Sequence, residues 1–351
     1  MVHASRLPAA LALAAALTAC RSVPTLPPRS LPQTSRDAAR PRVALVLGGG
    51  AARGFAHVGV LHVLEDAGIP VDLIVGTSAG SLVGALYADG YGAPELERLS
   101  RDLDRDAFFD FSLAPALFGT GLARGARLER WVRDHLRSQR IEELAIPYAA
   151  VATDLDDGSV VVLDRGEVAT AVRASSAVPG VFEPVQLGQR LLVDGGVVAN
   201  LPVKVARARG ADVVIAVDVT ALSGKAKPSS FVEVVMRAVI IMTHEGVEEA
   251  ARAADVLVAP AVGDVDLLDF GAKDRAIAAG AAAAREKLPE IRRAVEGPRS
   301  SRWPHQDVAP VDTKRSAGRS SLQDGRGRAR RRPGRRDVRR AGRPEEIALA
   351  R

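Results

Sequence analysis

The 351-residue chain reads as an α/β protein with a mostly parallel central sheet. Three observations predict that class. Strand-like and helix-like segments alternate from Arg42 to Ile291, several strand candidates are continuous apolar runs, and two of those runs end in glycine-containing turns that open helices. A strand that is apolar throughout suits burial beneath helices on both faces. In order, the strand candidates are Val43–Leu47, Leu73–Val75, Tyr148–Asp154, Ser159–Leu163, Leu191–Val193, Val213–Val219 and Val256–Pro260. The helix candidates are Gly54–Asp66, Ser81–Ala88, Pro94–Leu103, Ala126–Arg137, Val168–Ser175, Pro202–Ala208, Phe231–Ala254 and Lys273–Leu288. Phe108–Arg124, with three Phe in its first four residues and Pro and Gly after them, fits neither pattern; clustered Phe reads as core packing, with a mobile apolar flap as the alternative. No internal repeat is present.

Neither end reads as core, so one large domain is expected over residues 42–296. Met1–Ala19 carries Arg6, the apolar run Leu7–Leu17 and then small residues, the pattern of a secretory signal peptide too short to span a bilayer. It ends Leu17-Thr18-Ala19-Cys20, which resembles the lipobox of bacterial lipoproteins, where cleavage exposes a cysteine for acylation. Cys20 is the only cysteine, so no internal disulfide can form. Two or more acyl chains, at ~0.8 kcal/mol per buried methylene, would anchor the chain stably. By the same resemblance, Arg21 rather than aspartate after the cysteine favours the outer membrane, facing the periplasm. Residues 20–41, with Pro24, Pro27, Pro28, Pro32 and Pro41, read as an extended tether.

Gly297–Arg351 holds 15 Arg and one Lys against six Asp and Glu, a balance of +10 that leaves the other 296 residues at −4. The basic character therefore belongs to the tail. Runs such as Arg326-Gly327-Arg328-Ala329-Arg330-Arg331-Arg332 cannot build a core and read as solvated, disordered sequence. Contact with anionic lipid or nucleic acid is the alternative, and an exported chain has little access to nucleic acid, so no specific nucleic-acid partner is expected.

Within the domain, the run Val71–Val75 leads into Gly76-Thr77-Ser78-Ala79-Gly80 and then a helix-like stretch. Strand, G-x-S-x-G and helix in that order make a candidate nucleophile elbow, with Ser78 exposed on a turn so tight that Gly76 and Gly80 are needed on either side. Such a chain would be a serine hydrolase. Val43–Leu47 runs likewise into Gly48-Gly49-Gly50-Ala51-Ala52-Arg53-Gly54 and a helix start, where several backbone N–H groups and the helix dipole favour an anion. No register gives the dinucleotide pattern G-x-G-x-x-G, and no Gly-Lys-Ser/Thr follows as a phosphate-binding Walker loop requires. The remaining use is an oxyanion hole formed by amides among Gly48, Gly49, Gly50 and Ala51. Arg53 either adds positive charge there or braces the loop.

Serine needs a group to take its proton. His57, His62, His135 and His244 all fall on helices, where a lone histidine is more often structural; His3 lies in the leader and His305 in the tail. The better candidate is acidic. Leu191-Leu192-Val193 leads into Asp194-Gly195-Gly196, a strand end whose glycines allow close approach, although Asp before Gly also serves as a plain turn former. Burial would lift a carboxyl from its free value of ~3.9 toward the working pH. Asp154, Asp156 and Asp157 look like a hairpin turn, and no calcium-loop spacing appears.

Gly48–Gly54, Ser78 within G-T-S-A-G, and Asp194-Gly195-Gly196, in this order, resemble the patatin-like phospholipase family, in particular its bacterial branch, over about residues 42–292. Supporting segments are Ala152–Leu155, Ala171–Phe182, Val198–Val203 and Leu268–Phe270. The resemblance implies a three-layer α/β/α fold and a Ser–Asp dyad without histidine, with Ser78 as nucleophile and Asp194 as base. It also implies an oxyanion hole from the glycine loop and hydrolysis of acyl esters, such as phospholipid or lysophospholipid, with no calcium or other cofactor. The lipobox and the arginine tail depart from that pattern. An α/β-hydrolase-type triad esterase is the alternative reading, and a tethered lipid-binding protein with a spent site is a third.

Overall fold

The structure is a computed structural model that describes residues 40–104, 110, 120–220, 228 and 230–297. The leader, Cys20, the tether up to Ala39, the arginine tail beyond Gly297 and most of Phe108–Arg124 lie outside the described residues. Arg40, placed by its sequence in the tether, forks onto Asp72 through two bonds of 2.7 and 2.6 Å.

Strand β1 (Val43–Leu47) is completely buried and alternates its faces. Val43, Leu45 and Leu47 turn toward a core shared with helices α1 (Ala56–Asp66), α2 (Ala79–Ala88), α5 (Val168–Ser175) and α8 (Lys273–Glu296). Ala44 and Val46 turn the other way, toward α6 (Val203–Ala208) and α7 (Phe231–Ala253). Period-two alternation on a buried strand thus produces the three-layer arrangement. On the first face, α1 and α8 lie at contact distance: a Cβ on Gly59 would stand 1.9 Å from the Ile277 carbonyl oxygen, and one on Gly280 the same distance from that of Ala56. The remaining helices, α3 (Ala93–Asp102) and α4 (Ala126–His135), also contribute to this first layer.

The sheet contains β2 (Leu73–Thr77), β4 (Tyr148–Asp154), β5 (Val160–Leu163), β7 (Val185–Leu187), β8 (Arg190–Asp194), β9 (Val213–Val217) and β10 (Val256–Val258) beside β1, in the order β10-β9-β1-β2-β4-β8-β7 with β5 also on β4. Pairings from β10 to β4 are parallel; β5, β7 and β8 are antiparallel. The chain winds outward from β1 through β2 to β4 and returns on the far side as β9, which makes the carboxyl end of β1 the topological switch point where ligands bind in such sheets.

Each expected strand is present within a few residues. Two three-residue strands, β3 (Gly121–Ala123) and β6 (Gly180–Phe182), pair in a separate small sheet, and β7 completes a hairpin with β8. The sequence does not predict these three, because strands of three residues carry no hydrophobic period. Helix α8 continues past Leu288 and through Pro289 to Glu296, held by buried Ile291 and Val295 despite the lost backbone donor. Asp154–Ser159 is the expected hairpin turn, with Asp154 and Asp157 accepting from the amides of Asp156 and Ser159.

The pairings of β4 decide where the site forms. A strand has two edges. β2 and β5 both pair at Ala150 and Val151, so they lie on opposite edges; β5 and β8 both pair at Ala152 and Thr153, so they too are opposed. Strands β2 and β8 therefore occupy the same edge of β4 and meet end to end, Thr77 opposite Val151 and Asp194 opposite the next residue, Ala152. Ser78 and Asp194 are brought together by this register.

Candidate active site

Strand β2 stops at Thr77, and α2 begins at Ala79, which leaves one residue to reverse the chain. That residue, Ser78, has φ 53° and ψ −122°, a conformation costing about 1–3 kcal/mol for a residue with a Cβ. Three donors from α2 hold its carbonyl: the amides of Ser81 at 2.9 Å and Leu82 at 3.2 Å, and the Ser81 hydroxyl at 2.7 Å. The flanking glycines are required by close approach. A Cβ on Gly76 would meet the Gly80 oxygen at 2.5 Å, and one on Gly80 would meet the Leu47 oxygen at 2.2 Å.

The glycine loop lies against this elbow, and a Cβ on Gly54 would come within 2.5 Å of the Ala79 Cβ. Its amides divide into two sets. Gly48 donates to the Val217 oxygen at 3.0 Å and Gly49 to the Asn200 oxygen at 3.3 Å, so these two are committed to the scaffold. Of the four expected amides, those of Gly48 and Gly49 are thus taken, while those of Gly50 and Ala51 have no acceptor among the described residues, and these two residues line one cavity with Ser78 and Asp194. Gly48 and Gly49 are bonded because they continue the ladder from β1 toward β9 and the 195–202 turn, whereas the chain turns away at Gly50 into a short 3-10 helix (Ala51–Phe55). The loop carbonyls are held as well: His57 Nε2 donates to the Gly48 oxygen at 2.8 Å and Asn200 Nδ2 to the Gly49 oxygen at 3.2 Å. Arg53 is buried and donates to the carbonyls of Val265 at 2.8 Å and Gly263 at 3.4 Å, so it braces the loop.

Asp194 ends β8 with only 4% of its surface exposed. Its Oδ1 accepts from the Gly196 amide at 2.6 Å, while Oδ2 is buried with no hydrogen-bond partner. Burial pushes the carboxyl up to about 6, against the opposing pull of the Gly196 amide and the Ser78 hydroxyl. That hydroxyl is near enough to act on the carboxyl without completing a hydrogen bond to Oδ2. Gly195 permits the approach, since a Cβ there would stand 2.2 Å from the Val151 oxygen; at Gly196 a Cβ would stand 2.8 Å from Asn200 Oδ1.

Among the described residues, no histidine lines this cavity. His57 is wholly buried, and burial lowers its imidazole to about 4, so it stays neutral with its proton on Nε2 facing Gly48. His62 pairs with Glu97 at 2.8 Å, His135 stacks on Trp131 at 4.1 Å, and His244 meets Glu248 at 3.3 Å on the surface of α7.

Two cavities meet at Ser78. One, of about 410 Å³, holds Gly50, Ala51, Asp194, Asn200 and Ile240; the other, of about 880 Å³, is lined by Leu82, Leu86, Leu96, Leu103, Trp131 and Phe182. The larger is almost wholly apolar. Sequence reasoning did not assign roles to Ser175 and Asn200, although both lie in segments that carried the family resemblance.

Fold and site together define a doubly wound α/β protein with an elbow serine at the carboxyl ends of its parallel strands, facing a buried carboxylate. Residues 45–207 match the family model for patatin-like phospholipase. Among curated proteins, the chain is 40% identical to an uncharacterized NTE family protein of Mycobacterium tuberculosis over 182 residues, 52% of this chain and 50% of that one. It is also 40% identical to patatin-like phospholipase domain-containing protein 6 of Homo sapiens over 183 residues, 50% of this chain and 13% of that one. The chain thus matches half or less of the length of these relatives. Among solved structures it is similar to VipD from Legionella pneumophila, with a TM-score of 0.47 and 14% identity over 72% of this chain and 67% of that one.

Proposed function

We propose that the protein is a serine acyl-ester hydrolase acting on lipid esters through a Ser78–Asp194 dyad. The observation that carries this reading is the partnerless Oδ2 of Asp194, buried in one cavity with Ser78 and with the unbonded amides of Gly50 and Ala51. In the acylation step the Ser78 Oγ forms a bond to the ester carbonyl carbon, its proton passes to Asp194, and the carbonyl oxygen becomes an oxyanion held by the two amides. Collapse expels the alcohol, which takes the proton from Asp194. Water then attacks the acyl-serine with Asp194 again as base, the bond between the acyl carbon and Oγ breaks, Asp194 returns the proton to Oγ, and the fatty acid leaves. The large apolar cavity receives the acyl chain, and the smaller one faces the leaving group.

Phospholipids, lysophospholipids and related acyl esters fit this division, in a role in lipid breakdown or membrane lipid remodelling. Acylation of Cys20 at the outer membrane, facing the periplasm, would keep the enzyme beside such substrates; among the described residues no helix is long and apolar enough to cross a membrane. The purified domain is expected to hydrolyse nitrophenyl acyl esters at pH 8 in the presence of a metal chelator, and to release fatty acid from mixed bacterial phospholipids. Absence of turnover on both, with a folded protein, would favour the lipid-binding alternative.

A further inference from the structure

The segment that closes α5 touches both members of the dyad, and each contact falls on backbone. The Ser175 hydroxyl accepts from the Ser78 amide at 3.0 Å and donates to the Val151 oxygen at 2.6 Å. Two residues on, the Ala177 carbonyl accepts from the Asp194 amide at 2.9 Å. Val151 is the β4 residue opposite Thr77, at the point where β2 ends and β8 takes over the same edge. Ser175 is wholly buried, and its single proton and its acceptor are both used, so the hydroxyl has one orientation. It bridges nucleophile and strand across the interruption in the ladder.

We propose that Ser175–Ala177 is the gauge that sets the spacing between Ser78 and Asp194, with Ser175 as a positioning residue. The inference rests on the dyad proposed above. Ser78 is held by three donors on its carbonyl side but, on its amide side, by Ser175 alone. An elbow residue at φ 53° has a less strained conformation to fall back to, so loss of the amide tether lets the peptide between Thr77 and Ser78 rotate and carry Oγ away from the carboxylate. The gauge is itself anchored. Arg173, buried two residues before Ser175, donates from Nε to the Arg124 oxygen at 3.0 Å and from Nη2 to the Glu183 oxygen at 2.7 Å, fixing α5 against β3 and β6.

Displacement of a reacting group by about 1 Å can cost 10²-fold in rate. Ser175→Ala is therefore expected to lower kcat for a nitrophenyl ester roughly 10- to 100-fold, with KM nearly unchanged because neither cavity loses a lining atom. Ser175→Thr, which keeps the hydroxyl, should recover most of the loss. Rates are taken per reactive site, counted by fluorophosphonate labelling carried to completion. A Ser175→Ala kcat within about 3-fold of wild type, well short of the misplacement cost, would overturn the proposal, as would a loss that disappears once sites are counted. Should Ser175→Ala fail to fold, Ser175→Thr and Ser175→Cys decide: a deficit in the weakly bonding thiol alone supports the gauge, and equal rates overturn it. Asp194→Asn assayed alongside separates the two readings, since an active Asp194→Asn protein contradicts the dyad, whereas an inactive one beside a fully active Ser175→Ala contradicts only the gauge.

Discussion

Asp194→Asn is expected to lower ester turnover by about 10³-fold, in the upper range for loss of a general base, and Ser78→Ala by at least as much. The asparagine is close to isosteric. With its single amide oxygen kept on the Gly196 amide, it places an NH₂ donor, which cannot take a proton, where Oδ2 now faces the serine. The histidines should behave differently. His62→Ala, His135→Ala and His244→Ala are expected to retain most activity, because these side chains are engaged with Glu97, Trp131 and Glu248, outside the cavity. Initial rates on a nitrophenyl ester check the set, and a dead His244→Ala beside an active Asp194→Asn would favour the triad reading. Activity of the wild type should also fall with acid through about pH 6, as Asp194 takes up the proton that disables it.

The same substitution is expected to stabilise the protein at alkaline pH. Burial raises the Asp194 carboxyl from 3.8 in the open chain to about 6 in the fold. Between those values the folded state holds a proton that the unfolded state has lost, so stability from this group falls as pH rises through the interval. Below about 3.8 the carboxyl is neutral in both states and the penalty is absent; above about 6 it is ionised in both and the penalty is complete. A change of that size corresponds to about 3 kcal/mol. Asp194→Asn carries no charge to bury, so its unfolding free energy should exceed that of wild type by about this amount at pH 8, with the gap closing toward pH 4. Urea melts at the two pH values measure it. A variant no more stable at pH 8 would mean that Oδ2 is better solvated than its burial implies. Inactive but more stable is the combination expected when a buried carboxylate is retained for chemistry.

What could be read from the residues depended on how local each feature is. Val43–Leu47 and Tyr148–Ala152 are uninterrupted apolar runs, buried throughout as such runs require, and they announce the sheet. The elbow is equally local: Gly76, Ser78 and Gly80 are spaced by the turn itself, and the structure adds which backbone oxygens exclude a Cβ. Asp194 was a weaker inference from the residues alone. Its pairing with Ser78 depends on β8 joining β4 on the edge that β2 vacates, a register set by pairings 74 and 38 to 42 residues apart in sequence. The division within the glycine loop was illegible for the same reason, because Gly48 and Gly49 lose their amides to Val217 and Asn200, far along the chain. Ser175 sits at the end of an ordinary helix pattern, and only the fold shows that its hydroxyl spans two strands.

The central claim is that Ser78 is a nucleophile activated by Asp194. Peptide mapping after fluorophosphonate treatment at pH 8 tests it most directly, comparing wild type with Asp194→Asn. The expected result is a single phosphonylated residue, Ser78, formed rapidly in wild type and far more slowly in Asp194→Asn. Label on Ser81, Ser175 or Ser176 instead, or equal labelling of Ser78 in both proteins, would contradict the account.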